Sequence, residues 1–126
     1  MKDKNPLSPH IQIYNWHISS LISISHRITG IINIIIVTLI CFWVALLILG
    51  SSNYELVQNF FETYIGKFFI VVTIWSFSFQ ALCEIRHLFW DLGYGFELKT
   101  SNITGLAVIF GSFIFTILIL GKNIIL

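Results

Sequence analysis

From Ile28 through Leu49 the chain carries no charged residue. A helix crosses a bilayer with about 20 predominantly apolar residues. In lipid, a helix is the only single segment that satisfies all of its own backbone polar groups. This run therefore commits the chain to a membrane. Immediately before it stands Ser23-Ile24-Ser25-His26-Arg27. Charged groups at a membrane entrance are costly, so they pair with something or serve a site.

Composition agrees with that reading. Apolar residues make up 56% of the chain and charged residues 10%, where a soluble domain carries roughly 25% charged. So little charge cannot cover a water-facing surface. With 126 residues there is room for one membrane-anchor domain, 1–126. The net charge of +1 says nothing about nucleic acid, and no basic patch that would bind it stands out, so no nucleic-acid partner is expected. Cys41 and Cys83 both fall in apolar runs and read as small buried hydrophobes rather than a disulfide. The polar start Met1-Lys2-Asp3-Lys4-Asn5-Pro6 has neither the apolar core of a secretory signal nor the Arg- and Ser-rich pattern of a transit peptide. Together with the richness in Ile, Phe and Asn, it points to a product of an organelle or a bacterium. We expect a multi-pass protein of the mitochondrial inner membrane, with the bacterial cytoplasmic membrane as the alternative.

The pattern predicts an all-α membrane protein with three transmembrane helices. Residues 1–18, with Pro6 and Pro9, form an extended or turning arm. Ile11, Ile13, Tyr14 and Trp16 suit an arm lying on the interface or on a partner. Helices follow at about 20–49, 60–90 and 103–121, with Ser19 or Ser20 as the first N-cap. Residues 50–62 read as a polar loop, and Gly93-Tyr94-Gly95 breaks the second helix within the loop 92–102. Three spans put Lys2, Lys4, Arg27, Arg86 and Lys99 on one side and Lys67 and Lys122 on the other. By the positive-inside rule the N-terminus faces the cytoplasm or matrix.

Two polar faces result. On the first helix Ser23, His26, Arg27 and Gly30 share one face at spacings of three and four. A hydroxyl, an imidazole and a guanidinium all donate hydrogen bonds, and Gly30 admits a close approach to the backbone. A polar head with carbonyl oxygens on an apolar tail suits such a place, and a quinone is such a molecule. The other reading is that Arg27 snorkels to lipid phosphate while Ser23 bonds back to its own helix. On the second helix Gln80, Glu84, His87 and Asp91 form a stripe at i, i+4, i+7 and i+11. For Gln80 and Glu84 an interhelical network is the favoured reading. Arg86 points elsewhere, as an interface anchor or a propionate partner. No CxxC, phosphate loop or nucleophile–base arrangement is present, so no metal site and no catalytic residue is assigned.

With both faces in view, the sequence resembles the larger membrane-anchor subunit, or cytochrome b subunit, of succinate dehydrogenase (respiratory complex II). One signature runs from Pro6-Leu7-Ser8-Pro9-His10-Ile11 through Ile18 to Ser23-Ile24-Ser25-His26-Arg27-Ile28-Thr29-Gly30, and only Asn5 departs, where the family has arginine. The other is Ile85-Arg86-His87-Leu88-Phe89-Trp90-Asp91-Leu92-Gly93. The resemblance implies a non-catalytic subunit of succinate:quinone oxidoreductase, in electron transport and the tricarboxylic acid cycle. It implies a second small membrane anchor, an iron–sulfur subunit and a flavoprotein subunit as partners, besides membrane lipid. It implies ubiquinone as substrate, with Ser23 and Arg27 in the quinone pocket. It places His26, and with it Arg86 and His87, near the haem propionates or the quinone pocket. There a donor fixes a quinone carbonyl, and a cation stabilises the charge that develops on it.

The family's axial haem ligand is a histidine six residues before the motif arginine, and here that position is Gln80. The family's small residue two before that arginine is here Glu84. A glutamine amide is a poor iron ligand beside an imidazole. We therefore expect haem b to be absent. His87 could substitute only through a shift of about 10 Å along the helix, at 1.5 Å per residue. Two functions compete: a quinone-site and docking subunit, and a purely structural anchor of a respiratory complex. A transporter would carry its polar groups at mid-membrane, where the third helix offers only Ser112 and Thr116.

Overall fold

The computed structural model describes residues 15–125, with side chains through residue 123. Most of the N-terminal arm lies outside that range, including Lys2, Lys4, Pro6 and Tyr14. Four helices follow in order: α1 (Ile18–Leu49), α2 (Ser51–Glu62), α3 (Tyr64–Asp91) and α4 (Leu98–Ile125). No strand occurs among the described residues. Three of the helices, α1, α3 and α4, are long and apolar enough to cross a membrane.

Helix α1 starts at Ile18 with His17 in the N-cap position and no side-chain cap. Ser19 and Ser20, expected as caps, already lie in the first turn. Gly50 (φ 146°) ends α1 in a backbone conformation that L side chains rarely adopt. Residues 50–62 are not the expected loop. They form α2, because Asn53, Val57 and Phe61 recur every fourth residue and turn inward. Asn53 Nδ2 donates to the Leu46 carbonyl (3.4 Å), and Phe61 meets Trp43 edge-on (6.2 Å). Thr63 then starts α3: its hydroxyl accepts from the Gly66 N–H at 3.1 Å and donates to the Phe60 carbonyl at 2.6 Å.

At the other end of α3 the chain turns through a Schellman motif. Gly93 (φ 86°) bonds back to the Trp90 carbonyl and Tyr94 to that of Phe89. The Trp90 indole donates to the Gly95 carbonyl at 3.2 Å. Helix α4 begins at Leu98, earlier than the expected 103, so the connection shrinks to a tight turn. The core between α1, α3 and α4 is Ile22, Phe79, Cys83 and Val108, flanked by Ile18, Trp75, Leu82 and Ile109. Thr29, Ser76 and Ser112 are also fully buried. Small residues let membrane helices approach closely where no hydrophobic force drives them together. At Gly105 on α4 an added Cβ would crowd the ends of Ile22 and Ile18 on α1. Cys83 is buried as expected, but Cys41 is exposed on the outer side of α1. Ser112 and Thr116 bond back to carbonyls of α4 itself, at 2.7 Å each. They line no polar path.

Candidate functional site

The N-terminal part of α1 and the C-terminal part of α3 lie side by side and leave a cleft of about 270 Å³. Helix α1 contributes Ser19, Ile22, Ser23, His26 and Arg27, and α3 contributes Arg86, His87 and Trp90. Five residues singled out in the sequence therefore share one cavity: Ser23, His26, Arg27, Arg86 and His87. Their helical spacings place them on facing sides, and the antiparallel packing of α1 and α3 brings the two sides to one level.

The donors in this wall fall into two groups. Ser23 and Arg27 are exposed and make no hydrogen bond or ion pair with any described residue. In particular, Ser23 does not bond back to its own helix. That role falls to Thr29, whose hydroxyl donates to the Ser25 and His26 carbonyls at 2.8 and 3.1 Å. Arg86 and His87 are engaged. Arg86 is only 6% exposed. Its Nε donates to Thr104 Oγ1 (3.2 Å), and its Nη2 donates to the Ser101 carbonyl and hydroxyl (3.0 and 2.9 Å). Its guanidinium lies 4.1 Å from the Trp90 ring centroid, a cation–π contact. The expected interface anchor is thus a strut inside the bundle, because α4 starts early enough to bring Ser101 and Thr104 to it. His87 Nδ1 is 2.7 Å from the Cys83 carbonyl, and the His87 ring packs against Trp90 and, at 5.6 Å, against His26.

Beneath the cleft a polar ladder joins α1 to α3. Ser76 Oγ lies 2.7 Å from Asn33 Oδ1 and 3.2 Å from the Thr29 carbonyl. Gln80 Nε2 donates to the His26 carbonyl at 2.6 Å and to Thr29 Oγ1 at 2.9 Å. At the top rung, Glu84 Oε1 is 3.1 Å from His26 Nε2. The network expected of Gln80 and Glu84 is present. Asn33, Thr29 and Ser76 extend it, and the sequence reading missed them. Their signal was the continuation of the stripe, since Ser76 stands four residues before Gln80. What approaches the Gly30 backbone is the Gln80 amide itself, 3.3 Å from where a Cβ would stand.

Fold and site together define a three-span helical membrane protein with a donor-lined cleft at one end of its bundle. The chain belongs to the succinate dehydrogenase and fumarate reductase transmembrane subunit family, whose model matches residues 1–119. It is 39% identical over 117 residues to the succinate dehydrogenase cytochrome b556 subunit of Rickettsia felis, covering 93% of this chain and 91% of that one. It is 29% identical to the subunit of the same name from Paracoccus denitrificans (94% and 92% covered). It is also 34% identical to the cytochrome b560 subunit of Reclinomonas americana (94% and 85% covered). The chain is thus a multi-pass membrane-anchor subunit of the succinate dehydrogenase type.

The cytochrome names of these relatives raise the question of haem. Gln80, which the resemblance sets at the axial-ligand position, offers an amide in place of an imidazole. Both of its strong bonds run through the amide nitrogen to α1, and a neutral amide is a weak iron ligand beside imidazole. Glu84 is tied to His26, one of the two imidazoles on this wall.

Proposed function

We propose that this subunit forms part of the ubiquinone-reduction site of a succinate:quinone oxidoreductase and docks its catalytic subunits. One observation carries the reading. Ser23 and Arg27 present a hydroxyl and a guanidinium, neither with a partner among the described residues, at the cleft between α1 and α3. A ubiquinone head group is planar and offers carbonyl oxygens as acceptors, and its tail belongs in lipid. Ser23 positions one carbonyl, and Arg27 stabilises negative charge on it as electrons arrive from the iron–sulfur subunit. His26, His87 and Arg86 stand beside them in the wall, with Ser19, Ile22 and Trp90. The partners are a second small membrane anchor, an iron–sulfur subunit and a flavoprotein subunit. The cleft end faces the matrix or cytoplasm, in the mitochondrial inner membrane or its bacterial counterpart.

A purely structural anchor is the competing reading, and it leaves the unpartnered Ser23 and Arg27 without a task. Ser23→Ala separates the two. In the assembled complex, quinone reduction should fall about tenfold, the loss of one hydrogen bond of 1–1.5 kcal/mol. Succinate oxidation by an artificial dye should be unchanged. If both rates fall together, or neither falls, Ser23 is no part of a quinone site.

We also propose that this chain gives haem b no axial ligand. The expected pyridine haemochrome spectrum of the purified complex shows no haem b above background. One haem b per complex would overturn this reading and direct attention to His87.

A further inference from the structure

Glu84 has business on the outside of the bundle as well. Its side chain is 64% exposed, although one oxygen is tied to His26. Helix α3 has 28 residues, about 42 Å at 1.5 Å per residue, against a hydrocarbon core of about 30 Å. If α3 is centred on the core, each end overhangs by about 6 Å, and Glu84, about 10 Å from Asp91, lies about 4 Å inside the hydrocarbon edge. A carboxylate accepts at both oxygens, and at this depth lipid tails offer nothing to the second one.

The neighbours of Glu84 on the same side of α3 form a seam. Phe77, Ala81, Glu84 and Leu88 recur at spacings of four, three and four, and all four are exposed. That is the spacing of a helix-packing face. Small Ala81 beside Glu84 allows a second backbone to come close. Among the described residues, no Lys or Arg is hydrogen-bonded or ion-paired to Glu84. The one acid on the seam calls for a base from elsewhere.

We propose that this seam seats a transmembrane helix of a second, different chain, which presents a lysine or arginine to the outward oxygen of Glu84. The proposal rests on the reading of this subunit as one of a pair of anchors, and it names the contact that joins the pair. His26 holds the carboxylate from within, and the partner's cation completes it from without. Charge then does the joining on this face.

The test uses the whole complex, purified in mild detergent through a tag on the iron–sulfur subunit. The amount of the second membrane chain is measured per copy of this one. Glu84→Gln keeps the size of the side chain and an oxygen for His26, so the bundle stays intact while the charge is lost. Retained second chain is expected to fall at least tenfold after a high-salt wash in Glu84→Gln, and further in Glu84→Lys. Exchanging the partner's cation for glutamate should restore Glu84→Lys. Wild-type retention in Glu84→Gln and Glu84→Leu alike overturns the proposal and leaves water or a lipid head group as the cover of Glu84. A second copy of this chain in the place of a different one also overturns it. A wild-type complex with no second membrane chain at all overturns the paired-anchor reading together with it.

Discussion

Replacing Arg27 with glutamine should lower quinone-dependent succinate turnover of the assembled complex by about 10- to 100-fold, the kinetic equivalent of a charge-assisted bond worth 1.5–3 kcal/mol. The loss should fall on kcat/KM for quinone, while succinate oxidation by an artificial dye stays at the wild-type rate. The physical argument is the isolation of Arg27. Its side chain is exposed at the cleft mouth and tied to no other described residue, so its removal leaves no buried group orphaned. The thermal midpoint of the variant should therefore match the wild type, and the kinetic loss can be ascribed to the site. Arg27→Lys should recover only part of the activity, because an ammonium lacks the planar fork of donors. Wild-type quinone kinetics in Arg27→Gln would leave Arg27 as a lipid-facing cation.

The opposite pattern is expected at Arg86, a residue of the same type in the same cleft wall. Arg86→Ala should reduce the stability of the complex to unfolding in detergent by about 3 kcal/mol. That figure combines 1.5–3 kcal/mol for hydrogen bonding by a charged donor with about 1 kcal/mol for a cation over an indole. Arg86 is buried and reaches Ser101 and Thr104 of α4 from α3, with Trp90 stacked on its guanidinium. It ties the tight 92–97 turn and the start of α4 to the rest of the bundle. Its loss should therefore lower the unfolding midpoint and the dye-linked and quinone-linked rates together, as assembly fails. Arg86→Lys should remain well below wild type, since one ammonium cannot serve Thr104 and Ser101 in the same geometry. An unchanged unfolding midpoint in Arg86→Ala would refute the strut.

Much of this was legible in the residues. The uncharged run 28–49 and its two counterparts determined three spans, because hydrocarbon admits only segments that satisfy their own backbone. The spacing of Ser23, His26 and Arg27 determined that they share a face, because helical periodicity leaves no alternative. The stripe from Gln80 to His87 was visible for the same reason. Helix α2 was not read from the sequence. Its polar and apolar residues are mixed, and its apolar face becomes apparent only once Trp43 and the end of α1 are there to receive it. The start of α4 was missed for a related reason. Residues 99–102 are polar, and they are helical because Arg86 binds Ser101 and the Schellman turn at Gly93 aims the chain back.

Ser23, His26 and Arg27 were recognised in the sequence as a donor face at a membrane entrance. Their occupation was decided only by tertiary structure. Whether a donor is spent or free depends on which neighbour lies within about 3 Å, and helix spacing carries no information across to another helix. Packing of α3 against α1 uses up the His26 imidazole through Glu84, and packing of α4 uses up Arg86. Ser23 and Arg27 remain open at the cleft. The sequence determined which groups could meet a ligand at this end of the membrane, and the fold determined which of them are left to do so.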